Sequence, residues 1–179
     1  MRYLSMFVVV LFVFAFAFTF AAVAAAEPLT PRPVDPIAAE TFARAVERSA
    51  TFRAMVASLE ASNVIVHIES SRELPSGIGG WTKFVTSRGG YRYVRITLAT
   101  DLTLRMRSII LAHELQHACE IAESRAADYE GVRDLFARAG RRVGEFYETR
   151  AALEIERHAK LEMDARPALQ AEPVAKFDH

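Results

Sequence analysis

One stretch of the chain combines the spacing of a buried helix with side chains that are costly to bury. From about residue 102 the apolar positions follow a helical period, with Leu104, Leu111 and Leu115 among them, which predicts a long core helix. The sequence HELQH, residues 113–117, lies inside this helix. Two imidazoles and a carboxylate lose hydration when they enter a core, so their position indicates that they have specific partners there.

The spacing of these side chains is typical of a metal site. His113 and His117 are one helical turn apart, so both imidazoles lie on the same face and can reach a single ion. Glu114 neighbours the first of these ligands and is expected to contact a water molecule instead of the metal. Zinc lowers the pKa of a bound water to about 7, and we expect Glu114 to take its proton as general base.

The HELQH sequence and its apolar lead-in SIILA resemble the active-site helix of zinc metallopeptidases of the zincin fold. The resemblance covers roughly residues 60–160. It implies an α+β domain in which a small, mostly antiparallel sheet packs against the active-site helix and the helices that follow it. It also implies that an edge strand pairs with an extended peptide substrate, and we expect that strand to be YRYVRITLA, residues 91–99.

The third metal ligand is expected to be a later glutamate. The metzincin pattern HExxHxxGxxH is absent, because Glu120 replaces the glycine and Glu123 replaces the third histidine. The gluzincin pattern takes a glutamate from a later helix. Glu148 is favoured there, since small residues one helical turn away would allow its helix to approach the motif closely. Glu145, three residues earlier, is its competitor.

Three neighbouring residues have secondary roles in this interpretation. Glu120 follows His117 by three positions and is a candidate to orient its imidazole, or is a polar residue at the helix edge. Tyr147 either stabilises a reaction oxyanion or simply packs. Cys119 is the only cysteine of the chain and is predicted to be a buried apolar residue, so no intramolecular disulfide is possible.

The remaining pattern divides the chain into segments. Asp35 and Pro36 predict the start of a helix that runs to about Ala61. Further predicted elements are a strand at 63–69, a hairpin turning at Gly89–Gly90, and helices at about 124–139 and 143–163. The peptidase domain is expected at 37–164, after a proline-rich linker at 27–36 and before a loose tail at 165–179.

The first residues have the features of an export signal. Residues 6–26 carry no charge, follow Arg2 and end in three alanines, which is typical of a secretory signal peptide cleaved after residue 26. An uncleaved membrane anchor is the alternative, because the apolar stretch is long enough to cross a bilayer. Both readings place the domain outside the cytoplasm, as a secreted, periplasmic or membrane-anchored protein.

The charge balance makes nucleic acid an unsuitable partner. The formal net charge is zero, and the chain has no run rich in lysine or arginine. The sequence therefore predicts an exported, monomeric, zinc-dependent peptidase that acts on peptide or protein substrates. A non-catalytic metal-binding or scaffold domain of the same fold is the alternative, although the intact Glu114 favours an enzyme.

Overall fold

The computed structural model describes residues 31–165, so the expected signal peptide, the first four residues of the linker and nearly all of the tail lie outside the described residues. The elements in chain order are β1 (Arg32–Pro33), α1 (Pro36–Arg48), α2 (Ala50–Glu60), β2 (Val64–Ser71), β3 (Gly80–Arg88), β4 (Tyr91–Ala99), α3 (Leu104–Glu123), α4 (Tyr129–Ala139), β5 (Gly140–Val143), β6 (Phe146–Thr149) and α5 (Arg150–Asp164). In this part of the chain no helix is both long and apolar enough to cross a membrane.

The predicted α+β class is confirmed, but the sheet differs from the expectation. Its strand order is β1–β2–β4–β3, with β1–β2 and β2–β4 parallel and only β3–β4 antiparallel. The prediction of a mostly antiparallel sheet was therefore wrong. The prediction that residues 91–99 form the edge was also wrong, because β4 lies inside the sheet and β3 forms the edge beside it. Along β4 the first five side chains alternate between more exposed and buried, and the last four, residues 96–99, are all buried.

The helices cover one face of this sheet. Alternate residues of β2 and β4, including Val66 and Ile96, are fully buried in the core, whereas Tyr93 and Arg95 of β4 lie on the opposite face and are more exposed. The motif helix α3 packs against α1, α2, α5 and the sheet strands β2–β4. This central position explains why α3 has apolar residues around most of its circumference.

The start of the domain agrees with the predicted helix cap and extends the fold into the predicted linker. Asp35 caps α1 by accepting a hydrogen bond from the Ala38 amide at 2.9 Å, and Pro36 occupies the first helical turn. Asp35 also accepts from the Ser70 amide at 2.7 Å. The short strand β1 pairs with β2, so residues 32–36 belong to the domain.

The single helix predicted up to Ala61 is divided into α1 and α2 at Ser49. The Ser49 hydroxyl caps α2 by accepting from the Phe52 amide at 2.9 Å. Glu162 of α5 accepts hydrogen bonds from the Ser49 hydroxyl and, at 3.0 Å, from the Thr51 hydroxyl. A distant carboxylate therefore stabilises the new helix start, which the local pattern could not predict.

The region after α3 is only partly helical where helix was predicted. Helix α4 ends before Gly140 as expected, but it begins at Tyr129 instead of about 124. The helix predicted from 143 was wrong in its first part, because residues 140–149 form the β5–β6 hairpin. Gly144 has a positive φ of 63° in the turn, a conformation that a helix interior excludes. Helix α5 then begins at Arg150.

Candidate metal centre

Helix α3 places the three motif side chains together in the interior. Thr103 caps the helix by accepting from the Met106 amide at 3.2 Å, and the helix continues without interruption to Glu123. His113, Glu114 and His117 are only 6–7% exposed. The centroids of the two imidazole rings are 5.1 Å apart, so the predicted same-face arrangement of the histidines is present.

Each imidazole is held through its Nδ1 atom by a carboxylate. His113 Nδ1 is 2.9 Å from Glu156 Oε2, and His117 Nδ1 is 2.9 Å from Glu120 Oε2. An ionised carboxylate only accepts hydrogen bonds, so each Nδ1 carries the donated hydrogen and the Nε2 of a neutral ring presents a lone pair. This is how carboxylates orient histidines that bind metals through Nε2. The contact predicted for Glu120 is confirmed.

Glu148 faces the first of these lone pairs. Its Oε2 atom is buried and has no hydrogen-bond partner among residues 31–165, and it lies 3.4 Å from His113 Nε2. With a neutral His113 these two atoms are both acceptors and repel each other unless a cation lies between them, whereas a protonated His113 forms an ion pair with Glu148. Nitrogen and oxygen ligands at 2.0–2.2 Å from a tetrahedral zinc ion would be separated by about 3.4 Å. The donors of His113 and Glu148 therefore fit one zinc ion.

The three predicted ligands do not form a complete metal site as they stand. Within residues 31–165, no group of three or more His, Cys, Asp and Glu side chains is already arranged to hold an ion. The pair formed by His113 and Glu148 has a suitable separation, and His117 lies beside it on the same helix face. The three side chains therefore lie near one another without forming a finished set of ligands.

Glu148 reaches the motif from a strand, so the helical reason for choosing it was wrong. It lies in β6 opposite Arg141, while Thr149, the next residue, caps α5 by accepting from the Ala152 amide at 3.1 Å. The hairpin is closely packed: a Cβ atom at Gly140 would lie 2.8 Å from the Glu148 carbonyl oxygen. The competitor, Glu145, lies in the exposed turn between β5 and β6.

Glu114 is anchored from the edge strand. The Thr82 hydroxyl of β3 lies 2.8 Å from Glu114 Oε2 and 2.9 Å from the Glu114 carbonyl oxygen. Burial raises the pKa of Glu114 above its ordinary value, although the charges of His117 and His113 and the Thr82 hydrogen bond act in the opposite direction. A raised pKa brings a carboxylate closer to the neutral range in which a general base works well.

His117 is held by an aromatic contact as well as by its hydrogen bond to Glu120. The ring of Phe136 from α4 packs edge-on against it, with centroids 5.2 Å apart. Burial lowers the tendency of His117 to be charged, but the hydrogen bond to Glu120 and the nearby carboxylate of Glu114 outweigh it and raise the pKa of His117. The imidazole is therefore fixed by packing on one side and by hydrogen bonding on the other.

The two remaining sequence candidates lie away from this arrangement. Side chains alternate along a strand, so Tyr147 points to the opposite side of the hairpin from Glu148. The structure thus does not bring Tyr147 to the motif. Cys119 is buried as predicted, and burial raises the pKa of its thiol to about 12, which makes it unreactive.

Sequence reasoning missed two residues of the site, Thr82 and Glu156. Thr82 lies in a strand that the sequence correctly predicts, but no local pattern distinguishes it from Thr86 in the same strand. Glu156 is separated from His113 by 43 positions and sits in an ordinary charged helix. Only the packing of α5 on α3 brings it to the imidazole.

Comparisons of the chain with protein families, with curated proteins and with solved structures find no match. The features that bear on the function of this chain are therefore the positions of His113, Glu114, His117 and Glu148.

Proposed function

We propose that this protein is a zinc-dependent peptidase with a zincin-like fold. The observation that carries the proposal is the buried Glu148 oxygen, which faces the Nε2 atom of His113 without a hydrogen-bond partner. A structural ion pair would normally satisfy such an oxygen with a hydrogen bond. The carboxylates on both Nδ1 atoms support the same interpretation, because they leave Nε2 available to a metal.

The residues of the site then have distinct roles. His113, His117 and Glu148 would hold the zinc ion, while Glu120 and Glu156 keep the imidazoles in position. Bound zinc supplies Lewis acidity that polarises a substrate carbonyl and makes water more acidic. Glu114 accepts the proton of the attacking water and returns it to the leaving amine as the peptide bond breaks.

The edge strand supports a peptide as the substrate. The Ala99 amide donates to the Gly79 carbonyl at 2.8 Å, which identifies this opposed pair as a hydrogen-bonded one. Hydrogen-bonded and non-bonded pairs alternate along antiparallel strands, so the backbone groups of Gly80, Thr82 and Phe84 point to the open edge. An extended peptide can pair with these three residues up to the bulge that follows Phe84.

A non-catalytic metal-binding domain is the second candidate, because it would use the same three ligands. The anchored Glu114 favours catalysis, because burying a carboxylate costs free energy and an apolar side chain could fill the same space without that cost. The export predicted from residues 1–26 belongs to the same proposal, and the substrate would then be an extracytoplasmic peptide or protein.

Two glutamate variants test the proposal through different readouts. Glu114→Gln should retain one zinc per chain and lose about 10²–10⁴-fold in peptide hydrolysis, because it removes the proton acceptor and preserves the side-chain shape. Glu148→Ala should lose both zinc and activity, because it removes a ligand. Metal analysis and hydrolysis of a fluorogenic peptide library measure the two effects.

Glu145→Ala is the matched control, since this glutamate lies in the same hairpin but in its exposed turn. It should retain zinc and activity. Full hydrolysis by Glu114→Gln would contradict the peptidase assignment. Normal zinc binding by Glu148→Ala would contradict the ligand assignment.

A further inference from the structure

Thr82 is the one residue of β3 whose side chain forms a hydrogen bond with the motif helix. Its hydroxyl contacts two atoms of the same residue, Glu114 Oε2 at 2.8 Å and the Glu114 carbonyl oxygen at 2.9 Å. The single hydroxyl hydrogen is shared between these two acceptors, so the same group is held against the helix and restrains the Glu114 side chain. Both contacts join the edge of the sheet directly to the proposed general base.

Packing alone does not require a hydroxyl at this position. Phe84 lies two residues further along β3, on the same face of the sheet as Thr82, and it is an apolar residue buried in the core. Valine has nearly the shape of threonine and also favours strands. The hydroxyl of Thr82 therefore has a function specific to Glu114, which in the described part of the chain is the only residue to which its side chain donates.

We propose that Thr82 is a positioning residue that sets the distance between a bound peptide and the Glu114 carboxylate; this rests on the proposed peptidase function. The backbone of Thr82 points to the open edge, where the peptide pairs, and its side chain holds the base. A single residue thus links substrate to base, without a flexible segment between them. Such linkage keeps reacting groups within the narrow range of positions that efficient catalysis needs.

Three variants of the full chain test this role. Thr82→Val removes the hydroxyl and keeps the shape, and we expect kcat to fall about 10- to 100-fold, the effect of losing a hydrogen bond to a charged group. KM and zinc content should remain within about 2-fold of the wild type, because the backbone and the ligands are unchanged. Thr82→Ser restores a hydroxyl and should recover most of kcat.

Thr86→Val is the matched control. Thr86 lies on the same strand, but it is exposed, lies opposite Tyr93 and does not contact Glu114. The same substitution there should leave kcat and KM unchanged. Thermal melting of all three variants shows whether any loss of activity comes from unfolding. An unchanged kcat in a folded Thr82→Val protein would overturn the proposal.

Crystal structures give a readout that does not depend on turnover. The Glu114 carboxylate should keep its position in the wild type and in Thr82→Ser, and it should turn away or lose its single rotamer in Thr82→Val. An unmoved carboxylate in Thr82→Val would refute positioning by Thr82. If the wild type binds zinc but cleaves no peptide, the proposed function fails, and the crystallographic comparison alone then decides whether Thr82 positions Glu114.

Discussion

The two imidazoles of the site are supported in different ways. His117 pairs with Glu120, which lies one turn further along the same helix and is 13% exposed. His113 pairs with Glu156, which comes from α5 and is 45% exposed. The Nδ1–oxygen distance is 2.9 Å in both pairs. One orientation is thus fixed within α3, whereas the other depends on the docking of a second helix.

This difference shows which part of the site depends on tertiary structure. Helix α5 is attached to the rest of the domain by Glu162, which accepts from Thr51, and by an ion pair between Asp164 and Arg105. Any change that loosens α5 would release Glu156 from His113 and leave the pair of His117 and Glu120 intact. The site therefore has a local half and a half that depends on distant contacts.

The largest expected effect comes from removing the imidazoles themselves, which leaves no supported ring to compare. His113→Ala and His117→Ala should each reduce zinc affinity by more than about 100-fold, because each variant removes a proposed ligand. This loss should exceed the loss caused by removing a supporting carboxylate. His158→Ala on α5 is the control, since this histidine is exposed and its one side-chain hydrogen bond within residues 31–165 is with its neighbour Arg157. Full zinc content in both motif variants, measured by metal analysis, would refute the metal site.

An intermediate effect distinguishes the two supports. Glu120→Gln and Glu156→Gln should each weaken zinc binding by about 10- to 100-fold, as is usual for carboxylates behind metal-binding histidines. We expect the larger loss for Glu120→Gln, because its pair is less exposed to water. Zinc titration by competition with a chelating dye measures both. Glu154→Gln, whose partner is the exposed Arg150, should have no effect. A larger loss for Glu156→Gln would reverse the ranking.

The smallest expected effect concerns salt. Raising the ionic strength from 0.1 to 1 M shortens the Debye length from about 10 to about 3 Å, which weakens exposed charge interactions more than buried ones. The difference in zinc affinity between the wild type and Glu156→Gln should shrink by about 2-fold. The corresponding difference for Glu120→Gln should stay nearly constant. Equal salt sensitivity in the two pairs would show that their unequal exposure has no consequence.

The same contrast explains which residues of the site the sequence could predict. Glu120 could be named as one of two possibilities because a helical spacing of three residues is visible in the sequence itself, and the contact with His117 is present. Glu156 was missed because its distance from His113 is set by the packing of α5 on α3. Glu148 was chosen for a helical environment that does not exist, yet the hairpin brings it to His113. The chosen side chain therefore lies beside His113, although the reason for choosing it was wrong, and its role as a ligand stays a prediction.

The errors in the fold have a similar origin. Helix α3 and the turn at Gly89–Gly90 were predicted correctly, because hydrophobic period and turn chemistry are local properties. The edge position was assigned to residues 91–99 incorrectly, since strand order depends on where the chain returns after α1 and α2. The β5–β6 hairpin is only four residues on each side, too short for an alternating pattern to outweigh the helical residues that follow it.

The placement of Glu148 on a hairpin gives a bound metal a mechanical role. A zinc ion held by His113, His117 and Glu148 would close a loop that contains α4 and β5, in the way a disulfide closes a loop between two cysteines. The chain has one cysteine and cannot form such a bond within itself. Metal coordination would thus take the place of a disulfide crosslink in this loop. Removal of the metal by a chelator would allow the hairpin to open while α3 stays folded.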